Sequence, residues 1–431
     1  MRHRTLLAVL TVLAMVLAAC GSGNGGSDTT QPEETPSTAV EQTTATTGET
    51  PTTSGGSMEA PDSIHIGAVV PLTGAFGGGG AQIQRGYIYA VDAINEAGGV
   101  YVKEFDTQLP LELDVRDDAS DPNQTTSIMD DFAGEGVVAY LGGFATPVHA
   151  AGAATAERNR IPYLGVATST QALHEQGYQY FFSPFPKSPD MARTVFEMLN
   201  GLIPEGERPL RVGIFQEATD WGAELGPLFV QEAESHGYEV VYNETYAPGS
   251  TDFTDLILGA QAADVESLLS LPTPPDGFAL YQQMGELGWK PPFNLVIRAA
   301  DVPTWNDLGE AGEGVVLSAP WHPALGYPGT EAVNERHIEE EGRPADPVVG
   351  SAYAIVQILA DAIERAGTLD HDAVRDAIAA TDGLETIIGP IKFREDGTAP
   401  VPNPQMQRIG GKIELIWPKD SATADLVYPA P

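Results

Sequence analysis

The sequence predicts an α/β protein built from two like lobes, and three observations lead there. From Ser63 onward, apolar strand segments alternate with amphipathic helical segments, the pattern of parallel sheets covered on both faces. The alternation runs through four strands, then begins a second series at Ser188-Pro189-Asp190 without a detectable sequence repeat. The chain has 431 residues, beyond the roughly 250 to 300 at which a single core stops growing, so two domains are expected.

The elements follow in order. "SIHIGAVV" is a buried strand, and after the loop "PLTGAFGGGG" the residues Ile83, Tyr87, Ala90 and Ile94 recur at helical spacing until Gly98-Gly99 stops the helix. "LPLELDV" alternates Leu109, Leu111, Leu113 and Val115 with polar neighbours, and Asp121-Pro122 opens the next helix with proline at its first position. "VVAYLGG" and "IPYLGV" are the third and fourth strands, separated by an alanine-rich helix around Ala150 to Glu157. The second series brings the strand "LRVGIF", a helix after Trp221, "YEVVY", "DFTDLILGAQ", "ESLLSL", "DGFALYQQMGELG" and "FNLVIR". In paired lobes of this kind a ligand belongs at the carboxyl ends of the strands, where loops and helix N-termini gather.

Composition narrows the function. Sixty Asp and Glu against 22 Lys and Arg give a formal net charge of -38, with no basic stripe, so nucleic acid is excluded as a partner. Arg2 and Arg4 precede the apolar run Leu6 to Ala19, which is too short for a spanning helix and reads as a secretory signal. The chain's one cysteine, Cys20, follows in Leu17-Ala18-Ala19-Cys20-Gly21, which resembles a bacterial lipobox. A lone cysteine has no intrachain disulfide partner, so residues 1–20 are expected to be a lipoprotein signal and Cys20 the lipidated residue. Acylation there makes the membrane a partner, with the protein held on the extracytoplasmic face of the cell membrane. Residues 21–61 lack Phe, Trp and Tyr and carry Val40 and Met58 as their large apolar side chains, so a disordered tether is expected.

No catalytic motif survives inspection. "GAFGGGG" does not follow its strand directly and Asp117 lies too far on to be a ribose acid; P-loop and G-x-S-x-G patterns are absent; "HEQGY" ends in Tyr178 where a zinc helix needs histidine. The eight histidines show no zinc spacing. The expectation is a binding protein with no catalytic residues, no metal and no cofactor.

Several blocks together carry a family resemblance. "IGAVVPLTGAFGGGGAQIQRGYIYAVDAINEAGGV", "LDVRDDASDPNQTTSIMDDF", "ETYAPGSTDFTDL", "SAYAIVQILADAIERAG" and "IIGPIKFREDG" resemble, in sequential order from about Ile64 to Gly397, the leucine/isoleucine/valine-binding family, the amino-acid-type solute receptors of ABC importers. The resemblance implies the periplasmic-binding-protein type I fold: two Rossmann-like lobes joined by three crossings near 183–187, 317–320 and 387–391. The first lobe would comprise 62–186 plus 320–388, the second 187–319 plus 389–431. It implies a monomer that captures an amino acid, such as a branched-chain one, or a related small polar solute, and hands it to ABC permease subunits. A ligand-sensing lipoprotein of the same fold is the alternative.

Carried onto this sequence, the resemblance places a carboxylate clamp in "GGFATPVH", with Phe144, Ala145 and the hydroxyl of Thr146, and a second in "GVATSTQAL", with Ala167, Thr168 and Ser169. Donors at helix N-termini suit an anion, because unpaired N–H groups and the helix dipole both favour negative charge. From the second lobe, Trp221 in "FQEATDWG" stands where the family covers its ligand with an aromatic, and Asp301 in "IRAADVP" where it sets an acid against the ligand's ammonium. Trp321 in "SAPWHP" is a further cleft candidate. Two departures stand out: glycines 77–80 occupy a stretch where an aromatic is usual near Gly79, and Ser183 replaces a usual arginine, changes expected to enlarge the pocket. Arg298 lies close to Asp301 and raises the option of an anion bound from that side.

Overall fold

The computed structural model describes residues 59–431; the signal, Cys20 and nearly all of the tether lie outside the described residues. The first lobe opens with β1 (Ile64–Val70), α1 (Gly77–Glu96), the hairpin β2 (Val100–Val102) and β3 (Thr107–Leu109), β4 (Leu111–Asp117) and α2 (Pro122–Glu135). It continues with β5 (Ala139–Leu141), α3 (Thr146–Asn159), β6 (Tyr163–Leu164) and β7 (Phe181–Phe182). Its sheet has the order β4-β1-β5-β6-β7, parallel throughout.

The second lobe runs through α4 (Ser188–Leu202), β8 (Arg211–Glu217), α5 (Asp220–Ser235), β9 (Glu239–Tyr246), α6 (Thr254–Ala262), β10 (Ser267–Ser270), α7 (Pro274–Glu286), β11 (Phe293–Val296) and β12 (Val316–Ser318). The chain then returns to the first lobe for α8 (Thr330–Glu341), α9 (Pro347–Ala366), α10 (His371–Ala379) and the hairpin β13 (Asp382–Thr386) and β14 (Gly389–Lys392). It ends in the second lobe with β15 (Gln405–Ile409) and β16 (Lys412–Trp417), which extend that sheet antiparallel beyond β12. The parallel part of the second sheet, β9-β8-β10-β11-β12, repeats the winding of the first. In both, the strand order reverses beside the first strand, leaving a crevice at its carboxyl end.

Apolar periodicity explains the layers. α9 is apolar because 13 of its 20 residues are buried in or beside the first core, and it lies close along α1 since Gly86 has no side chain: a Cβ there would sit 2.4 Å from the Val349 carbonyl oxygen. The second sheet carries a core on each face, one built on α4 and α5, the other on α6 and α7.

Three expectations change. Glycines 77–80 form the first turn of α1 rather than a loop, because the turn runs hard against the preceding strand; a Cβ on Gly80 would meet the Pro71 carbonyl oxygen at 1.9 Å. "LPLELDV" divides at Pro110 into β3, which pairs with β2, and β4, which pairs with β1. The third crossing falls beyond 387–391: Ile387, Ile388, Ile391 and Phe393 belong to the first core, Phe393 meets Phe182 at 5.3 Å between ring centroids, and Ser183 pairs with Thr398. Apolar packing therefore carries the first lobe well past residue 388, and the second sheet resumes at Gln405 instead of 389.

Candidate functional site

Loops at the carboxyl ends of β5, β6, β8 and β11 face one another across a cavity between the lobes, the kind of place where small-molecule sites usually form. The first lobe contributes Phe144, Ala145, Thr146, Ala167 and Ser169; the second contributes Trp221, Ile297, Arg298 and Asp301. Phe185, Met191, Val348 and the crossing residues Ser318 to Pro320 complete the wall. Most of this surface is apolar, with polar groups concentrated on opposite sides.

On the first side, Ala145 takes a left-handed φ of 81° to turn the chain into α3, whose first residue is Thr146. The opening amides of a helix have no intrahelical acceptor, so this turn offers donors to the cavity. His149 holds the turn from behind, with Nε2 2.9 Å from the Gly143 carbonyl and Nδ1 2.7 Å from the Tyr163 hydroxyl. Burial lowers its pKa to about 4, so the ring is neutral, with Nε2–H donating to Gly143 and Nδ1 accepting from tyrosine. The two clamp loops are joined by Ala145 N–H to the Ala167 carbonyl at 3.1 Å and by the Thr146 and Thr170 hydroxyls at 2.6 Å.

On the opposite side, Arg298 lies 4.8 Å over the Trp221 ring and 5.6 Å from the Phe76 ring. Its Nη2 is 2.5 Å from Glu217 Oε2, both residues being buried. That carboxylate balances the guanidinium, so Arg298 is not a free cation awaiting an anion. Asp301, 5% exposed, has no such partner at Oδ1 among the described residues. Burial pushes its carboxyl up to about 7, with Arg408 pulling down and Asp346 pushing up. Arg408 fixes the loop by donating to the carbonyls of Ala300 and Val302.

The structure therefore brings Phe144, Ala145, Thr146, Ala167, Ser169, Trp221 and Asp301 together around one cavity. Two predicted residues stand behind it. Thr168 is buried with its carbonyl receiving Lys187 and its hydroxyl unpartnered. Trp321 is buried in the first core against Gly350, where a Cβ would lie 2.2 Å from the indole; its neighbours Ala319 and Pro320 border the cavity instead. Nor do the glycines enlarge the site, because the Phe144 ring fills the space beside Gly79, 2.4 Å from where a Cβ would be. At the other departure, the Ser183 hydroxyl accepts from Lys187 Nζ at 2.9 Å.

Sequence reasoning passed over Glu217, Gln82, Glu224 and Lys187. Gln82 of α1 reaches across the cleft, donating to the Asp301 carbonyl at 3.0 Å and accepting from Val348 N–H at 3.3 Å. Glu224 of α5 reaches the other way, accepting the Gln171 and Ala172 amides at 2.8 Å each. Gln82 and Glu224 are single polar residues on helices, Glu217 ends β8 and Lys187 precedes α4, with no local pattern to single any of them out.

Two like-wound lobes gripping a buried cavity with polar ends define a two-lobed receptor for a small molecule. The chain belongs to the periplasmic binding protein family, whose model matches residues 63–411. Among curated proteins it is similar to Leu/Ile/Val-binding protein homolog 3 of Brucella melitensis, 24% identical over 345 residues that cover 79% of this chain and 89% of that one. Leu/Ile/Val-binding protein homolog 1 of Brucella abortus is 26% identical over 352 residues, covering 81% and 90%. Among solved structures, the leucine-binding protein LivK of Thermotoga maritima superposes with a TM-score of 0.72 at 21% identity, covering 82% of this chain and 97% of that one. The branched-chain amino acid transporter substrate-binding protein LivJ of Streptococcus pneumoniae, in complex with isoleucine, gives 0.72 at 18% identity, covering 85% and 100%.

Proposed function

We propose that this chain is an extracytoplasmic solute-binding lipoprotein that captures an amino acid with an apolar side chain by lobe closure and delivers it to an ABC importer. One observation carries the ligand class: Asp301 Oδ1 is buried at a mostly apolar cavity without a partner among the described residues, opposite loops that begin or precede helices. An ammonium against Asp301 and a carboxylate against the Thr146 and Ser169 loops would satisfy both ends, and the apolar wall would take the side chain. The similarity to leucine- and isoleucine-binding proteins points the same way. Closure follows from a ligand's greater affinity for the closed form, and the changed outer surface is what permease subunits would read. Attachment through Cys20 belongs to this proposal.

A thermal-shift and calorimetric panel of L-leucine, L-isoleucine, L-valine, 4-methylpentanoate and benzoate tests it. An amino acid at a hundred times its Kd should add about 2.7 kcal/mol of stability, and 4-methylpentanoate, which lacks the ammonium, should bind more weakly. Shifts by the simple acids and none by any amino acid would overturn the ligand class. Glu224→Ala should weaken binding of the same amino acid about tenfold by removing two charge-assisted hydrogen bonds from the closed form. Small-angle scattering should then show a larger radius of gyration without ligand.

A further inference from the structure

Lys187 is the last residue of the first crossing, immediately before α4, and it is 3% exposed. Its Nζ donates to the Thr168 carbonyl at 2.8 Å and the Ser183 hydroxyl at 2.9 Å, both neutral oxygens. The next residue reinforces it: Ser188 donates its amide at 2.8 Å and its hydroxyl at 3.0 Å to the Ser169 carbonyl. The Thr168 and Ser169 carbonyls are thus drawn toward the hinge. In a trans peptide the following N–H points opposite to the carbonyl, so the amides of Ser169 and Thr170 are turned away from Lys187, on the side where Ser169 borders the cavity.

We infer that Lys187 is a positioning residue of the ligand site: from the hinge it pins the 167–169 loop and places behind it the positive charge that makes the loop a receptor for an anionic group. The inference rests on the proposed capture of a ligand carboxylate at this loop. A buried ammonium held by neutral oxygens is costly, and burial brings the pKa of Lys187 down to about 7, with Asp396 and Glu224 acting in the opposite direction. The groups that face it come from four elements. His149 of α3 and His174 of the 171–177 segment are pushed down to about 4 and about 3, first by burial, and stay neutral. Asp396 lies in the turn after β14, and Glu224 comes from α5 of the second lobe, where it also accepts the amides that follow the clamp loop. Lys187 therefore changes charge near neutral pH while the two histidines stay neutral, and the hold on the clamp should change with it.

The test uses the full chain as wild type, Lys187→Met and Lys187→Arg. Amide hydrogen exchange of residues 168–170 is followed in ligand-free protein from about pH 6 to about pH 9, corrected for intrinsic exchange. The methionine variant should exchange about tenfold faster at low pH, and the arginine variant should restore protection. Wild type should match arginine at low pH and move toward methionine at high pH; this comparison needs no variant that fails to fold. Wild-type protection that stays flat with pH, or a methionine variant as protected as wild type, overturns the inference. Relative to Lys187→Arg, whose charge at this position does not change over the range and which shares the ionisation of Asp301, L-isoleucine affinity of wild type should fall about tenfold over the same rise in pH. No isoleucine binding by wild type would count against the proposed ligand class alone, since the exchange profile is read without ligand.

Discussion

Asp301→Asn is expected to lower affinity for L-isoleucine about a hundredfold, or about 2.7 kcal/mol, the scale for losing one partner of a desolvated charge pair. The carboxyl is buried, bordered by apolar wall, and unpartnered at Oδ1, so an ammonium there meets little competition from water. Its protonation supplies an independent check. The folded-state pKa of about 7 lies above the unfolded value of about 3.9. The stability contributed by the protonated folded form is therefore fully present below about pH 4 and is lost as pH rises through about 7. Ligand-free wild type should lose stability across that interval relative to Asp301→Asn. Bound ammonium favours the carboxylate, so binding near pH 6 should release a proton, visible as a calorimetric heat that varies with buffer ionisation enthalpy. Equal affinity in both proteins would remove Asp301 from the site.

Arg298→Met should destabilise the protein by about 3 to 5 kcal/mol, the cost of leaving one member of a buried pair without its partner. Glu217 is 2% exposed and 2.5 Å from the guanidinium; without Arg298 its charge is stranded at the end of β8. The double variant Arg298→Met with Glu217→Leu should recover most of the loss, because two apolar groups can replace a buried pair at little cost. Urea unfolding midpoints read both. Should single and double variants fall by the same amount, the ion pair is not what the site depends on.

Much of the cavity lining was legible because it lies in short loops after strands, where glycine, helix-capping hydroxyls and an exposed-looking acid mark a strand end. "GGFATPVH" and "IRAADVP" are such stretches. Thr168 and Trp321 were misplaced for a different reason: adjacent residues point opposite ways, and a one-residue step exchanges cavity for core. The positive φ at Ala145, Ala167 and Arg298 had no sequence signal, since these residues disfavour that region and only surrounding contacts hold them there.

Periodicity and punctuation by themselves determined that the chain makes two alternating α/β lobes, because burial of one helix face and both sheet faces leaves a local imprint on the sequence. Only the tertiary structure decided which distant groups meet. Glu217 with Arg298, Gln82 with Asp301, Glu224 with the Gln171 amide and Lys187 with the Thr168 carbonyl are pairs separated in sequence and joined by the folding of strand ends toward one cleft. Such pairings follow from the geometry of packed elements, and a linear pattern holds no record of which side chain will face which.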